Sequence, residues 1–115
     1  MGGILKDSQY TAGPTVSLNV QDTAVSLPAS IIQPTTGDWH GYSATCVWIT
    51  PIANPIYFAQ GGAIPDVAGL VGQPLFVGDQ LELKNFKNIL ALQMIRQGTT
   101  NTRVMVTPFF NDVGK

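Results

Sequence analysis

The chain has 115 residues, of which 44% are hydrophobic and only 11% are charged, and its formal net charge is −1. This length fits one domain with a single core. A chain so close to neutral lacks the broad basic surface that nucleic-acid binding requires. Because an average soluble domain carries roughly 25% charged residues, we expect part of this surface to be covered by another protein.

The apolar segments of the sequence are short. The longest dense one, NILALQMI, is far below the ~20 residues that span a bilayer, so we expect no membrane insertion. The first 14 residues lack the apolar run of a secretory signal, and the single Cys46 allows no internal disulfide. We therefore expect the protein to be made and assembled in the cytoplasm.

The N-terminal residues 1–14 contain three glycines and a proline and have no hydrophobic periodicity. This composition predicts an extended N-terminal arm over 1–14, followed by a β-sandwich domain over 15–115. The arm has three sizeable apolar side chains, Ile4, Leu5 and Tyr10. We expect these three to contact a neighbouring subunit, since their burial would offset the entropy cost of ordering the arm.

The first half of the domain reads as strands around a long loop. TVSLNV, residues 15–20, alternates apolar and polar residues, which is typical of a half-buried strand. Residues 28–42 contain two prolines and two glycines and predict a loop. SATCVWIT, residues 43–50, is apolar at successive positions, so it predicts a central strand covered on both faces, with Cys46 and Trp48 buried.

The second half continues this pattern. PIYFA, PLFV and QLELK predict short strands, and the length and flanking turns of NILALQMIR favour one long strand. TRVMVTPFF predicts the last strand, with Pro108 placing it at a sheet edge. Seven or eight strands without a helix, with turns about every ten residues, predict an all-β, antiparallel, jelly-roll-like sandwich.

Residues with catalytic chemistry are few and scattered. His40 is the single histidine, and no nucleophile motif accompanies it. The seven acidic residues are spread singly, without the pairing of a glycosidase or the spacing of a calcium loop. We therefore expect neither an enzyme nor a metal or cofactor site.

The candidate contact residues are aromatic and basic. Trp39 and Tyr42 lie in the long loop, where they could stack on a sugar or contact a protein. Arg96 and Arg103 flank the turn QGTTNT, where they could anchor a protein partner or only solvate the end of a hairpin.

Residues 44–110 contain, in order, a PIYF-like strand, GGAIP, GQPLFVGDQLEL, a strand ending in IR and a final β-strand. This order of motifs resembles small virion proteins of tailed bacteriophages. The resemblance implies a capsid cement or decoration protein on the capsid exterior, which binds across neighbouring subunits of the major capsid protein. It also implies a homo-oligomer, a dimer or trimer at a symmetry axis of the lattice. The alternative is a carbohydrate-binding sandwich in a tail or baseplate.

Overall fold

The structure, a computed structural model, describes residues 10–111. These residues form two antiparallel sheets connected by loops and two short helices. In chain order the elements are β1 (Tyr10–Ala12), β2 (Val16–Val20), α1 (Ala29–Ile32), β3 (Cys46–Pro51), β4 (Ile56–Ala59), β5 (Gln73–Leu75), β6 (Leu81–Lys84), α2 (Phe86–Ala91), β7 (Gln93–Arg96) and β8 (Thr102–Asn111).

The larger sheet has five strands and is organised by β8. Its order is β1-β8-β3-β6, and β2 pairs with the same edge of β8 as β1 does, nearer the start of β8. The smaller sheet has the order β5-β4-β7. The sheets pack on each other, so the all-β sandwich of about eight strands is confirmed. The jelly-roll connection stays a prediction.

The core lies between the two sheets and follows from the alternation of each strand. Apolar side chains at every second position of β3 and β8 face those of β4 and β7, and all are less than a tenth exposed. Burying each one contributes about 1.5–3 kcal/mol before entropy costs. The central members are Val47, Ile49, Ile56, Phe58, Met94, Val104 and Val106.

The outer face of the smaller sheet is covered by the loop 60–72. Tyr57 and Ile95 are paired neighbours on that face, and Ile95 is buried. Gly69 packs directly on the Tyr57 ring, where an added Cβ would lie 2.6 Å from its atoms, and its φ of +78° also favours glycine. A hydrogen bond of 3.1 Å from the Gly98 amide to the Val67 carbonyl ties the loop to the 97–101 turn.

The outer face of the larger sheet has no such cover among residues 10–111. The prediction that β3 is covered on both faces is wrong, because only Val47, Ile49 and Pro51 are buried. Cys46 is half-buried and Trp48 is 39% exposed. The apolar run therefore describes a strand with one core face and one apolar face toward solvent.

The segment NILALQMIR is not one strand, as its pattern predicts, but α2 followed by β7. Asn85 starts the helix, since its side-chain oxygen accepts a hydrogen bond of 3.2 Å from the Lys87 amide. Leu92 ends the helix in an extended conformation. The expected absence of helices is therefore also wrong, because the described residues include α1 and α2.

The last strand is confirmed, but its predicted place at an edge is wrong. β8 pairs with β3 on one side and with β1 and β2 on the other. Pro108 is tolerated because it faces the break between β1 and β2, where its carbonyl accepts a hydrogen bond of 2.8 Å from the Gly13 amide.

Part of the predicted arm belongs to the sheet. Tyr10, Thr11 and Ala12 form β1 and pair with β8 at Asn111, Phe110 and Phe109. Ile4 and Leu5, the other predicted contact residues of the arm, lie outside the described residues.

We predict that Ile49→Ala lowers the free energy of unfolding by about 2–5 kcal/mol, because it opens a cavity in a fully buried part of the core. The matched control is Leu70→Ala, which removes a side chain that is 86% exposed and should change stability by less than about 0.5 kcal/mol. Urea unfolding followed by circular dichroism measures both. Equal effects of the two substitutions would contradict this assignment of the core.

Candidate interaction surface

The most distinctive surface is the uncovered outer face of the larger sheet. Directly paired residues of antiparallel strands point to the same face, as do residues two apart on one strand. Cys46 pairs with Phe109 and Trp48 with Thr107, so these four residues share the outer face. The same rule places Tyr10 and Met105 there. We call the five apolar members the apolar strip: Tyr10, Cys46, Trp48, Met105 and Phe109.

Trp48 is at the centre of the apolar strip and is held by two contacts. Its ring packs on Phe109 with a centroid distance of 4.5 Å and an interplanar angle of 60°. Its indole Nε1 donates a hydrogen bond of 3.1 Å to Oε2 of Glu82, whose other oxygen lies 3.5 Å from the Lys84 ammonium. The indole is thus fixed in orientation while a large part of it faces solvent.

Cys46 belongs to the apolar strip as a packing residue. Burial raises the pKa of its thiol, and the nearby Glu82 carboxylate raises it further, whereas Lys84 lowers it. Because the thiolate is the reactive form, a raised pKa makes this cysteine a poor nucleophile near neutral pH.

The two aromatic side chains of the loop 28–42 pack mainly on other rings of the protein. Trp39 stacks on the buried Phe110 at 5.0 Å and 13°, and meets Tyr42 edge-on at 5.4 Å and 87°. The two predicted contact residues therefore do not form one flat platform. His40 lies in the same loop. Its Nδ1 is 2.8 Å from the carbonyl oxygen of Gly37, three residues earlier, so this contact is local to the loop.

A groove of about 720 Å³ lies beside Trp39, between the β1–β2 segment and the loop 28–39. Its walls are mostly apolar, and Asp38 is its single charged residue. We call it the loop groove; its apolar members include Val16, Leu18, Ile31, Trp39 and Phe110.

The two predicted arginines have different surroundings. Arg96 forms hydrogen bonds to the turn that follows it: Nε donates to the Gly98 carbonyl at 3.3 Å, and Nη1 donates to the Asn101 side chain. Arg103 is exposed and pairs with Asn19 on the outer face, two residues along β8 from Met105. The structure therefore brings Arg103 and Tyr10 to the uncovered face, but keeps Trp39, Tyr42 and Arg96 in local packing.

Sequence reasoning missed Trp48, Met105 and Phe109 as surface residues. The available signal is their spacing: each lies an odd number of residues from the buried residues of its own strand, and therefore on the opposite face. That signal can be used only when the register between β3 and β8 is known, because apolar residues occupy both faces of these strands.

Two kinds of feature are absent from the described part of the chain. No group of three or more His, Cys, Asp or Glu that could hold a metal occurs within residues 10–111. Over the same range, no helix is long and apolar enough to cross a membrane. Compared with protein families, curated proteins and solved structures, the chain matches none of them.

We predict that a thiol reagent labels Cys46 more slowly in the native protein than in denaturant, because the thiol is half-buried and its pKa is raised. The native rate should rise with pH through a midpoint above the ~8.5 of an unfolded cysteine. Stopped-flow labelling across pH measures this, with Cys46→Ser as the blank. Equal native and denatured rates, or a lower midpoint, would contradict the packing described for this residue.

Proposed function

We propose that this chain is a non-enzymatic virion structural protein of the capsid cement or decoration type. It docks on neighbouring subunits of the major capsid protein and stabilises the shell from the outside. The observation that carries the proposal is the apolar strip on the uncovered face of the larger sheet. The sequence resemblance over residues 44–110 adds the viral setting.

The composition of the apolar strip supports docking on a protein. Tryptophan, tyrosine, phenylalanine and methionine are enriched in protein interfaces, and tryptophan and tyrosine often dominate their energetics. Trp48 and Tyr10 are each more than a third exposed. Arg103 at one end of the face supplies a cation of the kind that interfaces favour, and the low charge of the whole chain removes a barrier to association.

Such a protein acts by burying apolar surface against the shell and catalyses no reaction. Each Å² of apolar surface removed from water contributes about 25 cal/mol, from which the entropy costs of association are subtracted. The preset orientation of Trp48 keeps those costs low, since a side chain already held by Phe109 and Glu82 loses little freedom on docking.

We predict that Trp48→Ser lowers the affinity of the protein for empty shells by about 30-fold, the loss typical of a central aromatic contact. The shells are assembled from the coat protein encoded in the same genome, and occupancy is measured by co-sedimentation over a concentration series. The matched control is Ile64→Ser, since Ile64 is also exposed but lies in the loop over the smaller sheet.

The control variant should bind like the unmodified chain, and both variants should keep their far-ultraviolet circular dichroism. An unchanged occupancy of Trp48→Ser would overturn docking through the apolar strip. Failure of the unmodified chain to bind the shells would overturn the capsid function itself.

The alternative function is a carbohydrate-binding module of a tail or baseplate, and the loop groove is the observation that favours it. An apolar groove with an aromatic wall and one carboxylate can accept a sugar, which presents both apolar faces and hydroxyl groups. The stacking of Trp39 on Phe110 argues for a role of this ring in stability as well.

We predict that Trp39→Ala lowers the melting temperature, because it removes a ring packed on a buried one, and leaves capsid occupancy of the folded fraction unchanged. Asp38→Asn, at the rim of the loop groove, serves as the partner variant that should not affect folding. A glycan array with the unmodified chain tests the alternative: binding that both substitutions abolish would favour the sugar module over the cement protein.

A further inference from the structure

The strand β6 has an open edge. Among residues 10–111 it pairs with β3 on one side and with no strand on the other. The edges of the smaller sheet are protected in different ways. β5 carries Pro74 at its middle, and β7 is bonded along its outer edge by the segment 21–25. No proline interrupts β6.

The backbone groups of two residues point to this open edge. The Asn85 amide donates to the Thr45 carbonyl at 2.9 Å and continues the register of β3 with β6. By the alternation of antiparallel ladders, Leu81 and Leu83 bond to β3, whereas the amides and carbonyls of Glu82 and Lys84 point away. Consistently, the Lys84 carbonyl accepts a hydrogen bond of 3.1 Å from the Asn88 side chain and keeps a second lone pair.

The side chains at the open edge are complementary to a second copy of β6. Glu82 and Lys84 both lie on the outer face, and both are exposed. When two β6 strands run antiparallel about a two-fold axis through Leu83, Glu82 of each copy stands opposite Lys84 of the other. The same register aligns the outward amides and carbonyls of these residues, so hydrogen bonds and ion pairs form at the same positions.

Apolar side chains flank β6 at both ends. Phe76 and Val77 lie in the turn that enters the strand and are 55% and 48% exposed, and Leu90 on α2 beyond it is 58% exposed. In an antiparallel pair the beginning of one β6 lies beside the end of the other. The exposed side chains of the entering turn therefore approach the α2 surface of the second copy, where mutual burial is favourable.

We propose that β6 pairs with β6 of a second copy of this chain and joins the two larger sheets into one sheet of ten strands. This inference rests on the proposed function and deepens it, because it names the self-partner and its surface. The two apolar strips then lie on one continuous face. Two docking faces on one rigid body bind a repeating shell with higher avidity than either one alone.

The experiment exchanges the two charges in separate variants, E82K and K84E. Each variant alone places like charges opposite each other across the two-fold axis, so its dimer should be weakened by about tenfold or more. A one-to-one mixture restores opposite charges at every position, and it should form a heterodimer as strong as the unmodified dimer. Size-exclusion chromatography with light scattering measures mass, and native mass spectrometry identifies the mixed species. The matched control is D22K, which makes the same charge change as E82K at an exposed residue of the segment 21–25, away from β6, and should stay dimeric.

A second measurement uses the unmodified chain, so it does not depend on the folding of a variant. The backbone amides of Glu82 and Lys84 should exchange with deuterium slowly in concentrated solution and faster on dilution, while the Val47 amide stays protected throughout. A monomer at all concentrations, a mixture without heterodimer, or exchange independent of concentration would overturn the proposal. None of these results involves shells, so failure of self-pairing and failure of capsid docking are distinguishable.

Discussion

The hydrogen-bonded ladder around β8 holds the larger sheet together and sets the face on which each of its side chains lies. This one strand of ten residues pairs with β1, β2 and β3, and β3 in turn holds β6. Its alternation supplies core residues such as Val104 and Val106 to one face, and Met105 and Phe109 to the other. A change of register by one residue would exchange these sets, so the core and the apolar strip are specified by the same hydrogen bonds.

The two sheets differ in what covers their outer faces, and this difference leads to the proposed function. The loop 60–72 covers Tyr57 and Ile95 of the smaller sheet. Residues 10–111 provide no equivalent for the larger sheet, although Trp48 and Phe109 form an aromatic pair on it. An aromatic centre held in place at an uncovered sheet face is the arrangement expected of a surface that docks on another protein.

The alternation of VSLNV and LELK is sufficient to predict these two strands, because a period of two reports burial on one face directly. The sequence could not reveal which side of β3 faces solvent, since Cys46, Trp48 and Ile49 are all apolar and only the pairing with β8 separates them. The apolar pattern of residues 88–96 suits a helix as well as a strand, so it does not reveal that Asn85 caps a helix and that Leu92 returns the chain to an extended conformation. Among the candidate contact residues, Tyr10 and Arg103 lie on the uncovered face, whereas Trp39 and Arg96 contact residues close to them within the protein. The position of a residue in a loop or turn of the sequence does not reveal which of these two environments it has.

The proposed function places the outer face of the larger sheet against the coat of a virion. Electron cryomicroscopy of shells saturated with the unmodified chain tests this placement, because the map shows which face of the sandwich meets the coat subunits. We expect Trp48 and Phe109 to lie against the shell and the loop 60–72 to be directed away from it. A map in which the apolar strip faces solvent while another surface makes the contact would overturn docking through the larger sheet.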